Sequence, residues 1–146
     1  MHDDLATADL FRHGLELLLD GRIDDWVALC DEDVLVEFPF APVGWPRRLE
    51  GRGRLAEYMS DYTDHVHLKD LPYLEIHQTA APETVVAEMR ARARLVATGQ
   101  DTDISYVVVM TAARGRITHY RDYWNPLVVP DSMREAKTTA PKRENA

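Results

Sequence analysis

The chain has a single cysteine, no long apolar run and no surplus of basic charge, and each shortage closes off a class of protein. Cys30 stands alone, so no intramolecular disulfide can form and one copy cannot build a thiolate metal cluster. That usage fits a reducing, cytoplasmic setting. No stretch approaches the ~18 apolar residues of a membrane-spanning helix, and the Met-His-Asp-Asp start lacks the basic flank and apolar run of an export signal. A formal net charge of −8 repels a phosphate backbone, and no Lys/Arg stripe with interleaved aromatics offsets it, so nucleic acid is not an expected partner. Internal repeats are also lacking.

What is present is an ordinary globular composition, 45% apolar and 29% charged over 146 residues, enough for one core. Leu5, Ala8, Phe11, Leu15, Leu18 and Leu19 recur at helical spacing, with Gly21 where a C-terminal cap belongs. Asp24 or Asp25 can cap a second, short helix carrying Trp26, Val27, Leu29 and Cys30. Val34 to Phe38 reads as a strand ended by Pro39, and residues 40–46 as a loop. Gly51 opens a third helix through Leu55, Tyr58, Met59 and Tyr62. Beyond Pro72 the period changes to two, predicting strands over 73–77, 85–96, 104–112 and 116–124, with a tight turn at Arg114-Gly115. Helices first and strands afterwards mark an α+β fold. Residues 134–146 carry no apolar periodicity and are expected to be a disordered tail to a domain of residues 1–133.

If Ala113 pairs with Arg116, strict alternation sets Asp122 beside Val107, Tyr120 beside Val109 and Trp124 beside Ser105. A similar count across Gly99 sets Arg94 beside Val107 and Arg92 beside Val109. One face then carries Arg92, Arg94, Val107, Val109, Tyr120, Asp122 and Trp124, and the other Ala91, Ala93, Leu95, Tyr106, Met110, His119, Arg121 and Tyr123. Three helices cover only one face of such a sheet, so the other is expected to be covered by a second copy in a homodimer.

The order of elements, the segment Glu37-Phe38-Pro39-Phe40-Ala41-Pro42, the opening Arg48-Leu49-Glu50-Gly51-Arg52 and the closing Tyr120-Arg121-Asp122-Tyr123-Trp124-Asn125-Pro126 resemble the SnoaL-like branch of the nuclear-transport-factor-like superfamily, over about residues 5–128. That resemblance implies a cone: a curved antiparallel sheet packed against three N-terminal helices, enclosing an apolar pocket. Relatives include polyketide cyclases, ketosteroid isomerases, epoxide hydrolases of the limonene type and scytalone dehydratases, so the fold alone does not assign the reaction. On the isomerase pattern the general base falls on Phe38, the oxyanion-hole tyrosine on Gly14 and the protonated aspartic acid on Val107, so all three groups are missing. On the epoxide-hydrolase pattern Asp122 matches a catalytic aspartate, but the second motif reads Arg90-Ala91-Arg92 and lacks its acid.

The candidate site follows from both lines of reasoning. Asp122 is the expected proton-handling group, with Arg94 or Arg92 as its counter-charge, Tyr120 beside it and His65 as a proton shuttle at the mouth. Gly14, Leu18, Phe38, Phe40, Trp45, Tyr58, Met59, Tyr62, Val107, Val109 and Trp124 are expected to line the pocket, Trp45 guarding its entrance. No cofactor is expected. His65 and His67 alternate without a carboxylate at ligand spacing, so no metal site is expected either. The predicted activity is cofactor-independent cyclisation or isomerisation of a small hydrophobic substrate of polyketide type. A non-catalytic ligand carrier and an epoxide hydrolase are the alternatives.

Overall fold

In the computed structural model, which describes residues 6–128, α1 (Thr7–Leu19) buries Leu10, Phe11, Gly14, Leu15 and Leu17. Gly21, at φ +74°, lets the chain leave α1 through bonds from Gly21 N–H to the Leu18 carbonyl and from Arg22 N–H to the Leu17 carbonyl. α2 (Ile23–Ala28) follows at once and tucks Trp26 and Val27 beneath α1. α3 (Arg52–Met59) and the short α4 (Tyr62–His65) complete the helical layer.

Six strands make one curved sheet: β1 (Cys30–Glu37), β2 (Arg48–Glu50), β3 (Val66–Gln78), β4 (Thr84–Leu95), β5 (Asp101–Ala113) and β6 (Arg116–Trp124), in the order β2-β1-β6-β5-β4-β3. β1 runs parallel to β6, and the other neighbours are antiparallel. The helices cover one face, where Val34, Val36, Val85, Ala87, Met89, Val108, Met110 and Tyr120 join the α1 and α2 side chains in a single core. Burial of these groups is the main force that holds helix to sheet.

Three local expectations change. Arg48–Glu50 forms an edge strand where a helix opening was expected. β3 begins at Val66, seven residues before Tyr73, and irregularities on both sides of Asp70 carry the strand past Pro72. An edge strand with bulges tolerates a proline that a central strand would not. Asp101 and Thr102, placed by the sequence in the turn around Gly99, instead pair with β4, as does Asp103. Leu95 N–H bonds to the Gln100 carbonyl, and Gly99 at φ +71° closes the turn earlier than the sequence count assumed.

The last two strands carry the correction that matters most. Arg114 and Gly115, at φ 53° and 75°, make the tight turn, and Ala113–Arg116 and Ala112–Ile117 pair as expected. Thr118 is then an extra residue on β6, so Thr111 pairs with His119 and every later pair is displaced by one. Asp122 stands beside Val108, Tyr120 beside Met110 and Trp124 beside Tyr106. The expected tail, residues 134–146, lies outside the described residues, as does Leu5.

Candidate functional site

Alternation along β6 sends Tyr120, Asp122 and Trp124 toward the helices and Arg121 and Tyr123 to the opposite face. Val108, the neighbour of Asp122 on β5, is fully buried, so the carboxyl is held over hydrocarbon. Around it are the phenols of Tyr58 on α3, Tyr62 on α4, Tyr106 on β5 and Tyr120 on β6. All four have raised pKa values, through burial first and with the Asp122 charge contributing in each case. Burial also pushes the Asp122 carboxyl up to about 7. Part of the residue stays open, but Oδ1 is covered and has no hydrogen-bond partner among the described residues. A carboxyl in that state exchanges protons close to neutral pH, where an acid–base group works best.

Aromatic rings build the walls. Phe38, 8% exposed, meets Tyr58 with ring centroids 5.4 Å apart, and Trp26 meets Tyr120 edge-on at 5.4 Å and 86°. Trp45, also 8% exposed, packs on Trp124 at 5.3 Å, and its Nε1 too is buried with no partner among the described residues. Under α1, Leu10, Phe11, Gly14, Leu15, Trp26, Met110, Ile117 and Tyr120 close on one another in a narrow apolar seam. Gly14 sits there because a Cβ would lie 3.0 Å from Trp26 Nε1. Leu18, Met59 and Tyr62 are partly buried against the same core.

Several expected residues lie elsewhere. Arg92, Arg94, Val107 and Val109 are on the outer face, because the Thr118 bulge reverses the parity of β5, and of β4 with it, relative to β6. Arg92 makes a two-point contact with Asp70 at 2.9 and 2.8 Å, and Arg94 lies 3.4 Å from Asp101, so neither is a counter-charge for Asp122. Phe40 is 58% exposed and packs on Tyr123 of the outer face at 5.3 Å. Tyr106, assigned to the outer face by the count, lines the inner one, as do Ala91, Ala93, Leu95 and Met110. The missed signal was the three-residue step from Ile117 to Tyr120, both buried, which strict alternation cannot produce.

His65 closes α4 and bonds through Nε2 to Asp61 Oδ2 at 3.1 Å, while His67 is exposed on β3. On the outer face Glu75, His77 and Glu88 bring possible ligand atoms within 4.8 Å of one another, a grouping visible only once β3 is paired with β4. His119 contacts Glu37 there at 2.7 Å. Cys30 is buried and its thiol is pushed up to about 12 by burial, so it is not a nucleophile.

The chain belongs to the SnoaL-like domain family, which it matches over residues 11–120. It is 34% identical over 133 residues to the "Uncharacterized protein YesE" of Bacillus subtilis (strain 168), covering 91% of this chain and 90% of that one. It is 30% identical over 123 residues to the "Uncharacterized PhzA/B-like protein PA3332" of Pseudomonas aeruginosa, covering 84% and 86%. A crystal structure described as a "Putative Isomerase" from Bacillus subtilis superposes with a TM-score of 0.82 at 35% identity, over 87% of this chain and 91% of that one. More distant structures, including an NTF2-like protein from Burkholderia xenovorans LB400 at TM-score 0.66 and 20% identity, share the cone-shaped α+β fold. No helix among the described residues is long and apolar enough to cross a membrane.

Proposed function

We propose that this protein closes a ring in, or isomerises, a small and largely apolar ketone without a cofactor, with Asp122 moving the proton. The observation that carries this reading is a carboxyl among four phenols, over Val108, pushed up to about 7 with no ion-pair partner among the described residues. As carboxylate it takes a proton from the carbon beside a substrate carbonyl, and the C–H electrons pass into an enolate. That carbon then bonds to a second carbonyl of the same molecule, and the resulting alkoxide takes the proton back from Asp122. Proton transfer by a placed group contributes roughly 10²- to 10⁴-fold, and holding the two reacting ends together contributes more. The SnoaL-like family and the isomerase description of a 35%-identical structure support the same class.

Deuterium uptake tests this without the natural substrate. Acetylnaphthalene in heavy water should exchange its methyl protons faster with the protein than without it, and Asp122→Asn should abolish the excess. Equal exchange with both proteins removes Asp122 from the chemistry. A purely ligand-carrying role is the second reading. It draws support from Phe38, buried at the position of the isomerase base, and it predicts binding with no exchange at all.

The outer sheet face is proposed to receive a second copy of the chain. Tyr73 and Val107 are 44% and 38% exposed there, and Arg121 Nε is covered without a partner among the described residues.

A further inference from the structure

From two buried atoms without partners among the described residues we infer that Trp45 Nε1–H and the Asp122 carboxyl together grip an uncharged ligand that carries both a carbonyl and a hydroxyl group. The inference rests on the pocket reading above and names the chemical class that pocket would take.

Native folds pair nearly all of their buried polar groups, so each exception calls for an explanation. Trp45 Nε1 and Asp122 Oδ1 are two exceptions on the same side of the sheet. Trp45 packs on Trp124, and Trp124 shares the inner face of β6 with Asp122 two residues away.

The chemistry of each atom selects its partner. An indole N–H can only donate, so it needs a carbonyl or similar oxygen. A carboxyl accepts a hydroxyl proton in either protonation state. Charge selects further. The groups around Asp122 are the phenols of Tyr58, Tyr62, Tyr106 and Tyr120, and Arg92 and Arg94 are occupied on the other face by Asp70 and Asp101. A carboxylate ligand would therefore meet a carboxyl group with no cation among the described residues to offset it. An uncharged oxygenated ligand meets neither penalty.

The test uses acetylnaphthol, acetylnaphthalene, ethylnaphthalene and hydroxynaphthoic acid as probes, with ¹H–¹⁵N spectra resolving the indoles of Trp26, Trp45 and Trp124. Acetylnaphthol should move the Trp45 indole resonance downfield and ethylnaphthalene should not. Trp45→Phe should weaken acetylnaphthol about tenfold, the worth of one hydrogen bond, and leave ethylnaphthalene within about twofold. Acetylnaphthalene should bind wild type more weakly than acetylnaphthol, a difference that Asp122→Leu erases. Should acetylnaphthol and ethylnaphthalene bind alike to wild type, or should hydroxynaphthoic acid bind as tightly as acetylnaphthol, the grip is overturned while the pocket stands. If no probe binds, the pocket reading itself fails and takes the inference with it. The indole shift is read on unmutated protein, so a folding defect in either variant does not decide the outcome.

Discussion

Asp122 and Val108 are neighbours across β6 and β5, and the carboxyl gains no hydrogen bond from that side to replace the water it has lost. The consequence is measurable in stability. Folded Asp122 holds its proton up to about pH 7, whereas an unfolded aspartic acid releases it near ~4. Between these limits the folded chain binds more protons, so stability falls as pH rises through that window and stays low above it. At ~1.4 kcal/mol per unit, the loss is about 2–4 kcal/mol. Asp122→Asn should flatten this limb and be more stable than wild type at about pH 8. Urea midpoints at about pH 5 and pH 8 decide the matter, and a wild-type protein equally stable at both would show that Asp122 does not titrate in this range.

Adjacent valines on β5 should behave as opposites. Val108→Asp buries a charge in the core and should cost more than ~3 kcal/mol, enough to unfold many small domains. Val107→Asp, on the outer face, should leave the monomer's stability within ~1 kcal/mol and, under the proposed pairing of two copies on that face, lower the sedimentation coefficient. The reverse pattern would restore the uninterrupted register.

Gly14 is held to hydrogen by Trp26. Gly14→Ala gains up to ~1 kcal/mol of helix propensity but drives a methyl against an indole fixed edge-on to Tyr120, and overpacking costs about 1–3 kcal/mol. A net fall in Tm of several degrees is expected, with the near-ultraviolet signal of Trp26 altered. An unchanged or higher Tm would mean that the indole yields freely.

The Arg92–Asp70 fork should matter little. Both side chains are about half exposed, so water and salt screen the pair and it adds little to stability. Arg92→Gln should lower stability only slightly, with the difference shrinking in salt, and should leave the pH dependence assigned to Asp122 unchanged. A displaced Asp122 titration would place Arg92 within its field after all.

Legibility in the sequence was uneven for reasons that particular residues make plain. Hydrophobic period separated helices from strands, and the inward set Tyr120, Asp122 and Trp124 followed from alternation within one strand, which no register error can disturb. Relations between strands fared worse. One extra residue, Thr118, moved Arg92, Arg94, Val107 and Val109 to the far side and brought Tyr106 in, while the early turn at Gly99 only slid β4 along β5 and kept the same faces together. Asp101 and Thr102 read as part of the turn because Gly99 sits between the two strand patterns, whereas the partners that hold Asp101 in the sheet, Lys69 and Arg94, come from other strands.

The parallel pairing of β1 with β6 sets an order of events in the cell. β6 lies in the middle of the sheet yet is nearly the last segment of the described chain to be made, so a nascent chain must wait with one side of β1 unmatched until residues 116–124 leave the ribosome. The strand that bears Asp122 is also the one that joins the two halves of the molecule. A product truncated before it would lack a closed core and would be a target for chaperones and proteases.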